Sequence, residues 1–222
     1  MRAKALDYGV VLALVIASIA LQMILAASDS SRFATIALQA LTLVAAVRAS
    51  GIQRTGTRIA ALVGVVAVLA SLITWIIRGD IPQAPAAIVN GLLVAVAPFA
   101  IARGLLHDLR REHEVTVATL AGVLSIYLLV GMFFSFLYGV VGAVDADALF
   151  AEVAKSNRED QIYFSFVTLC TVGYGDLTPA GNLPRAFSVA EMLVGQIYLV
   201  TIVSLIVGNL SARRGRAPGA SD

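Results

Sequence analysis

Six stretches of this chain are apolar for long enough to cross a lipid bilayer, and that limits the fold more than any other feature. They cover residues 8–27, 33–47, 59–77, 86–102, 115–141 and 186–210. A helix needs roughly 20 apolar residues to traverse the hydrocarbon. Inside lipid every backbone N–H and C=O must be satisfied internally, so runs of this kind read as helices and the fold class as an all-α membrane protein. A composition of 59% hydrophobic and 14% charged residues, with a mean hydropathy of +0.88, excludes an ordinary soluble domain of this length.

A seventh apolar stretch, 161–170, is too short to span and reads as a re-entrant segment. The first run has a rival reading as a signal peptide, with Arg2 and Lys4 ahead of it and the small residues Ala26, Ala27 and Ser28 behind. Apolar cores of signal peptides are usually about 7 to 15 residues. This run is longer, and a retained helix is expected.

Charge placement orients the spans. With the N-terminus inside, the cytoplasmic side carries Arg2, Lys4, Arg48, Arg54, Arg58, Arg103, Arg110, Arg111, Arg213, Arg214 and Arg216. The other side carries only Arg32, Arg78, Lys155, Arg158 and Arg185. The positive-inside rule then puts both termini in the cytoplasm and the segment between the fifth and sixth spans outside, as in an inner or plasma membrane protein.

Four regions follow. Residues 1–103 form a four-span block. Residues 104–114 form an interfacial linker helix with Leu105, Leu106 and Leu109 on one face. Residues 115–210 form a second block and 211–222 a short basic tail. The single cysteine, Cys170, excludes an intrachain disulfide and reads as a small buried filler.

Within the second block, Ser156 followed by Glu159 has the form of a capping box, so a short helix is expected from near Asn157 to Cys170. Its C-terminal end would aim a negative dipole into the membrane, where a cation is otherwise poorly solvated. The residues that follow, Thr171-Val172-Gly173-Tyr174-Gly175-Asp176, place glycine at alternate positions. Glycine permits positive φ, so successive carbonyls can turn to one side rather than alternate as in a strand. A row of carbonyl oxygens can replace the hydration shell of a cation.

This hexapeptide resembles the selectivity filter of the potassium channel family. The resemblance covers residues 115–210. It implies K+ ions held by the carbonyls of Thr171, Val172, Gly173 and Tyr174 with the Thr171 hydroxyl, and Asp176 at the outer mouth. It also implies bracing of the loop by Tyr174, Tyr163 and Phe164. One chain carries one filter copy, so the resemblance implies a homotetramer embedded in lipid.

Gly195 stands nineteen residues after Asp176, where many relatives carry an inner-helix glycine taken as a hinge. Helical spacing from it puts Gln196, Leu199, Val203 and Val207 on one face, expected to line the cavity and gate. Close helix packing is the alternative for Gly195 and Gly208. Glu191 is an ionisable group inside an apolar span, which is costly and tends to be functional or paired. Some relatives buttress the filter with an acid at the position held here by Val167. Glu191 either substitutes for that acid as filter support or pairs with another chain.

Six spans with the filter between the last two resemble the voltage-gated architecture. A sensor needs several charges within the field, and the fourth span offers only Arg103 at its end. The first four spans therefore read as a packing scaffold, with Asn90 and Pro98 serving helix packing and a kink. His107 and His113, six apart, do not share a helical face, so a metal site is not expected; a pH-sensing role or a solvated linker remains. Outside, Asp145, Asp147, Glu152, Glu159 and Asp160 make either an acidic vestibule or an ordinary solvated loop.

Nothing in the sequence has the form of a nucleotide loop, triad or metal cluster, so no enzyme and no resident cofactor is expected. The function read from these residues is passive potassium conduction. The alternatives are a non-conducting regulatory subunit of a channel complex and, more remotely, a cation transporter, although single-chain transporters of the related type carry four filter segments.

Overall fold

The computed structural model describes residues 2–25, 28–51, 54–112, 116–144 and 149–214. Seven helices are found among them: α1 (Arg2–Ile24), α2 (Asp29–Ala49), α3 (Arg54–Arg78), α4 (Gln83–Glu112), α5 (Val117–Val144), α6 (Arg158–Leu169) and α7 (Asn182–Arg214). Six are long and apolar enough to cross a membrane. The exception is α6, whose 12 residues rise only about 18 Å. The protein is an all-α membrane protein of six spans and one short inserted helix.

The main core gathers Tyr8, Val11 and Val15 of α1, Ile36 and Leu43 of α2, Val94, Ala97 and Ile101 of α4, and Leu129 and Met132 of α5. Helix α4 runs along α5, with α1 also against α5, and α2 is packed by α1, α3 and α4. Helix α3 leans chiefly on α2. Its outer face, including Leu62, Val66, Ile73 and Ile76, is exposed, as suits a helix whose other neighbour is lipid.

Lipid tails are as apolar as leucine, so helix association here depends on close approach and on internal polar contacts. Both occur. A Cβ added at Gly64 would come within 2.8 Å of the Ala40 Cβ, and one at Gly104 within 2.6 Å of the Ser50 Cα. Gln39 donates to the Ser18 hydroxyl at 2.8 Å, and Gln22 to the Ser18 carbonyl at 3.0 Å. At the start of α2 Asp29 accepts from Arg32 and from the Ile81 N–H, both at 3.2 Å, while Arg32 also donates to the Ile81 carbonyl. Asn90 is buried and donates to the Ala86 carbonyl at 2.8 Å.

The expected interfacial linker is not a separate element. Helix α4 continues without a break to Glu112, and Pro98 stands inside it. Of the supposed membrane-surface face, Leu105 is buried against the site of Gly122 and Leu106 is exposed. The reason is Gly104: its bare backbone is needed against Ser50, which keeps this stretch in the bundle. His107 is exposed; His113, Asp145, Asp147 and the tail from 215 lie outside the described residues.

Replacing Gly104 by alanine forces a methyl group into the α2 backbone at Ser50. It is expected to destabilise the folded protein by about 1 to 3 kcal/mol, read as a lowered unfolding midpoint in detergent. An unchanged midpoint would mean that the two helices do not cross this closely.

Candidate functional site

Helix α6 begins at an N-cap that is one residue later than the sequence suggested. Asn157, with extended backbone, accepts from the Asp160 N–H at 2.8 Å, and the Asp160 carboxylate accepts from the Asn157 N–H at 2.9 Å. Ser156 and Glu159 do not form the box; the Ser156 hydroxyl instead accepts from Gln161 at 3.3 Å. Both pairs have the required spacing, and the local backbone selects the asparagine.

At the other end the chain folds back onto the helix terminus. The N–H of Cys170 bonds to the Phe166 carbonyl at 3.0 Å, that of Thr171 to Thr168 at 3.0 Å, and those of Val172 and Gly173 to Val167 at 2.9 and 3.4 Å. Thr171, Gly173 and Gly175 have φ of 57°, 56° and 81°, while Val172 and Tyr174 between them do not enter the left-handed region. Left-handed torsions at alternate residues permit successive carbonyls to turn the same way. For a β-branched residue such as Thr171 this costs about 1 to 3 kcal/mol. It persists because the main-chain bonds to α6 hold both sides of the residue.

Tyr163 braces this loop. Its ring lies parallel to that of Tyr174, with centroids 6.3 Å apart, and its hydroxyl donates to Asp176 at 2.7 Å. That carboxylate pushes the Tyr163 phenol up to about 12. Phe164 does not join in, contrary to expectation: successive residues on a helix point about 100° apart. It is buried with Tyr138 (5.1 Å) and Phe150 (4.8 Å), fixing α6 to α5 and to the segment before it.

Glu191 is fully buried and touches α5 and α6 of its own chain. It accepts from Tyr138 at 2.8 Å, and its other oxygen lies 2.5 Å from the Ser165 hydroxyl. Pairing with another chain is thereby replaced by pairing within the chain, and the link runs to the middle of α6 rather than to Asp176. Gly195, on the same face of α7, is buried and does not line a cavity. A Cβ there would meet the Leu169 carbonyl at 2.8 Å, so the glycine lets α7 lie against the end of α6. Gln196 and Leu199 are exposed in the single chain, whereas the side chains of Val203 and Val207 lie outside the described residues. Cys170 is exposed rather than a buried filler, because it caps the end of α6.

Several contacts carried no signal in the sequence. Tyr127 donates to the Leu169 carbonyl at 3.1 Å and stacks on Tyr198, which in turn bonds the Val123 carbonyl at 2.5 Å. Beyond the loop, Ala151 donates to Thr178 at 2.9 Å and Ala180 to Leu149 at 3.0 Å. Glu152 accepts from the Thr178 hydroxyl at 2.5 Å and its N–H at 2.7 Å. These two bonds hold its carboxyl below the ordinary value of 4.5. Among the described residues no group of three or more His, Cys, Asp and Glu side chains could hold a metal ion.

The family described as "Ion channel" matches residues 122–212, from the second turn of α5 through the loop to the end of α7. Protein LctB of Bacillus caldotenax is 32% identical over 124 residues, covering 53% of this chain and 91% of that protein. The chain belongs to the ion channel family. That membership sets it among channels and not among enzymes. Two pore potassium channel c of Oryza sativa subsp. japonica is 44% identical over 48 residues, and Two-pore potassium channel 3 of Arabidopsis thaliana 42% over 48 residues. Each of these matches covers 22% of this chain but only 10% and 11% of the plant proteins.

Because Glu152 is held below its ordinary value, its tie to Thr178 is fully present above pH 4.5 and is lost as pH falls through the lowered value. The Thr178 amide resonance is expected to titrate with a midpoint below 4.5, and Glu152→Gln to abolish that step. A midpoint at or above the ordinary value would show that the two bonds do not form in solution.

Proposed function

We propose that the chain forms a homotetrameric potassium-selective channel of the plasma membrane, with both termini cytoplasmic. The observation that carries this reading is the alternation of left-handed torsions at Thr171, Gly173 and Gly175 in a loop tied to the C-terminus of α6. Such a backbone offers oxygens from Thr171, Val172, Gly173 and Tyr174, with the Thr171 hydroxyl, as a substitute for water around a monovalent cation. The end of α6 adds the negative pole of its dipole.

One loop gives one quarter of a ring. Val172 and Tyr174 are 52% and 71% exposed in the single chain, and α7 likewise exposes Leu193, Ile197 and Val200. Apolar groups of this kind next to a pore are suited to contact with neighbouring copies. Conduction is passive, down the electrochemical gradient. With Arg103 the only charge offered by the fourth span, gating does not rely on a charged sensor helix. Helices α1–α4 act as a scaffold, and Gln196 and Leu199 are assigned to the cavity.

Purified protein in liposomes under opposed potassium and sodium gradients is expected to reverse near the potassium equilibrium potential. Absence of flux at every pH, voltage and ion tested would replace this reading with that of a non-conducting channel subunit. Tyr163→Phe removes the bond to Asp176 and is expected to speed the decay of current several-fold while leaving the reversal potential unchanged. Unaltered decay would free Tyr163 from any part in holding the loop.

A further inference from the structure

Glu191 sits between α5, α6 and α7 with 0% of its surface exposed, the only carboxylate among the buried residues described. No cation faces it. Helix α5 has no Lys, Arg or His along its length. The basic residue of α6, Arg158, opens that helix two turns before Ser165 and donates to Thr35, while Arg185 of α7 donates to the Pro179 carbonyl. The titratable groups on its side of the packing are the phenols Tyr138 and Tyr127 of α5 and Tyr198 of α7, the last two turned to the Leu169 and Val123 carbonyls, and the Cys170 thiol, 3.5 Å from the Tyr127 hydroxyl. An ionised carboxylate there would be a buried charge without a counterion.

The hydroxyl protons around it can be counted. Ser188 gives its proton to the Pro184 carbonyl at 2.9 Å, and Tyr138 gives its own to Glu191 Oε2 at 2.8 Å. Ser165 has one proton but two close oxygens, the Gly131 carbonyl at 2.7 Å and Glu191 Oε1 at 2.5 Å. A carbonyl and a carboxylate only accept. With Glu191 ionised, one of those two contacts would set lone pairs against each other with no hydrogen between them.

We propose that Glu191 is protonated and acts as a donor, Oε1–H to the Ser165 hydroxyl, which passes its own proton to the Gly131 carbonyl. Resting on the channel reading above, this makes Glu191 a positioning residue for the filter. Its neutral carboxyl ties the inner helix α7 and the outer helix α5 to α6 at Ser165, next to Phe166, Val167 and Thr168, whose carbonyls take the loop's main-chain bonds. It touches no ion and acts only through the placement of α6. A glutamine offers a donor and an acceptor in the same places, whereas a charged or truncated side chain does not.

The test uses the purified full chain in potassium-loaded vesicles at neutral pH. The infrared difference between wild type and Glu191→Gln should show the C=O stretch of a neutral carboxyl. Carboxylate bands in its place would overturn the proposal. Potassium flux should be retained in Glu191→Gln and fall roughly tenfold in Glu191→Ala and in Ser165→Ala, the usual scale for a buried polar partner left unmatched. Loss of flux in the glutamine variant, or full flux in both alanine variants, would also overturn it. The infrared band does not depend on conduction, so failure of the potassium reading, visible in the reversal potential, is told apart from failure of this one.

Discussion

Irregular backbone inside a bilayer has no water to bond to, and the whole arrangement answers that constraint. The loop after α6 departs from helical geometry at Thr171, and its first four N–H groups are taken up by the last carbonyls of the helix it leaves. A helix of 12 residues is marginal on its own. It is capped by Asn157 and Asp160, wedged by Phe164, and bonded through Ser165 to α5. The loop thus depends on α6, and α6 depends on the long helices around it.

Those long helices are held by small residues and amides rather than by greasy surface, since lipid competes equally for the latter. Gly104 against Ser50, Gly64 against Ala40 and Gly195 against Leu169 each bring backbone close to a neighbour. Gln39 and Ser18 close a polar contact between α1 and α2 in the interior. Arg158, the first residue of α6, donates to Thr35 of α2 at 3.2 Å, so the peripheral helices hold the short helix at its outer end as well.

The spans were legible because a run of apolar residues is a local property, and all six expected runs coincide with helices. The loop was legible for a different reason: consecutive residues with alternate glycines fix torsions within a few bonds. What stayed hidden involves partners distant in sequence. Glu191 meets Tyr138 and Ser165, 53 and 26 positions away, and Glu152 meets Thr178, 26 away. Phe164, given a bracing role by resemblance, packs instead on Tyr138 and Phe150, and for Gly195 the close-packing alternative is the one the geometry favours, because sequence spacing does not say which face meets which neighbour. The linker helix expected over 104–114 is continuous with α4 as far as Glu112, with Gly104 serving contact with Ser50.

Helix α4 is a single rod of 30 residues, about 45 Å long, and it lies along the α5 that follows it in the same chain. Helices α1 to α4 therefore pack on the helix that follows them in the same chain, α4 and α1 directly against α5 and α2 and α3 behind them. A flaw in this early-made half of the polypeptide would accordingly reach the loop through its own chain, by way of α5 and of the Thr35 hydroxyl that Arg158 holds.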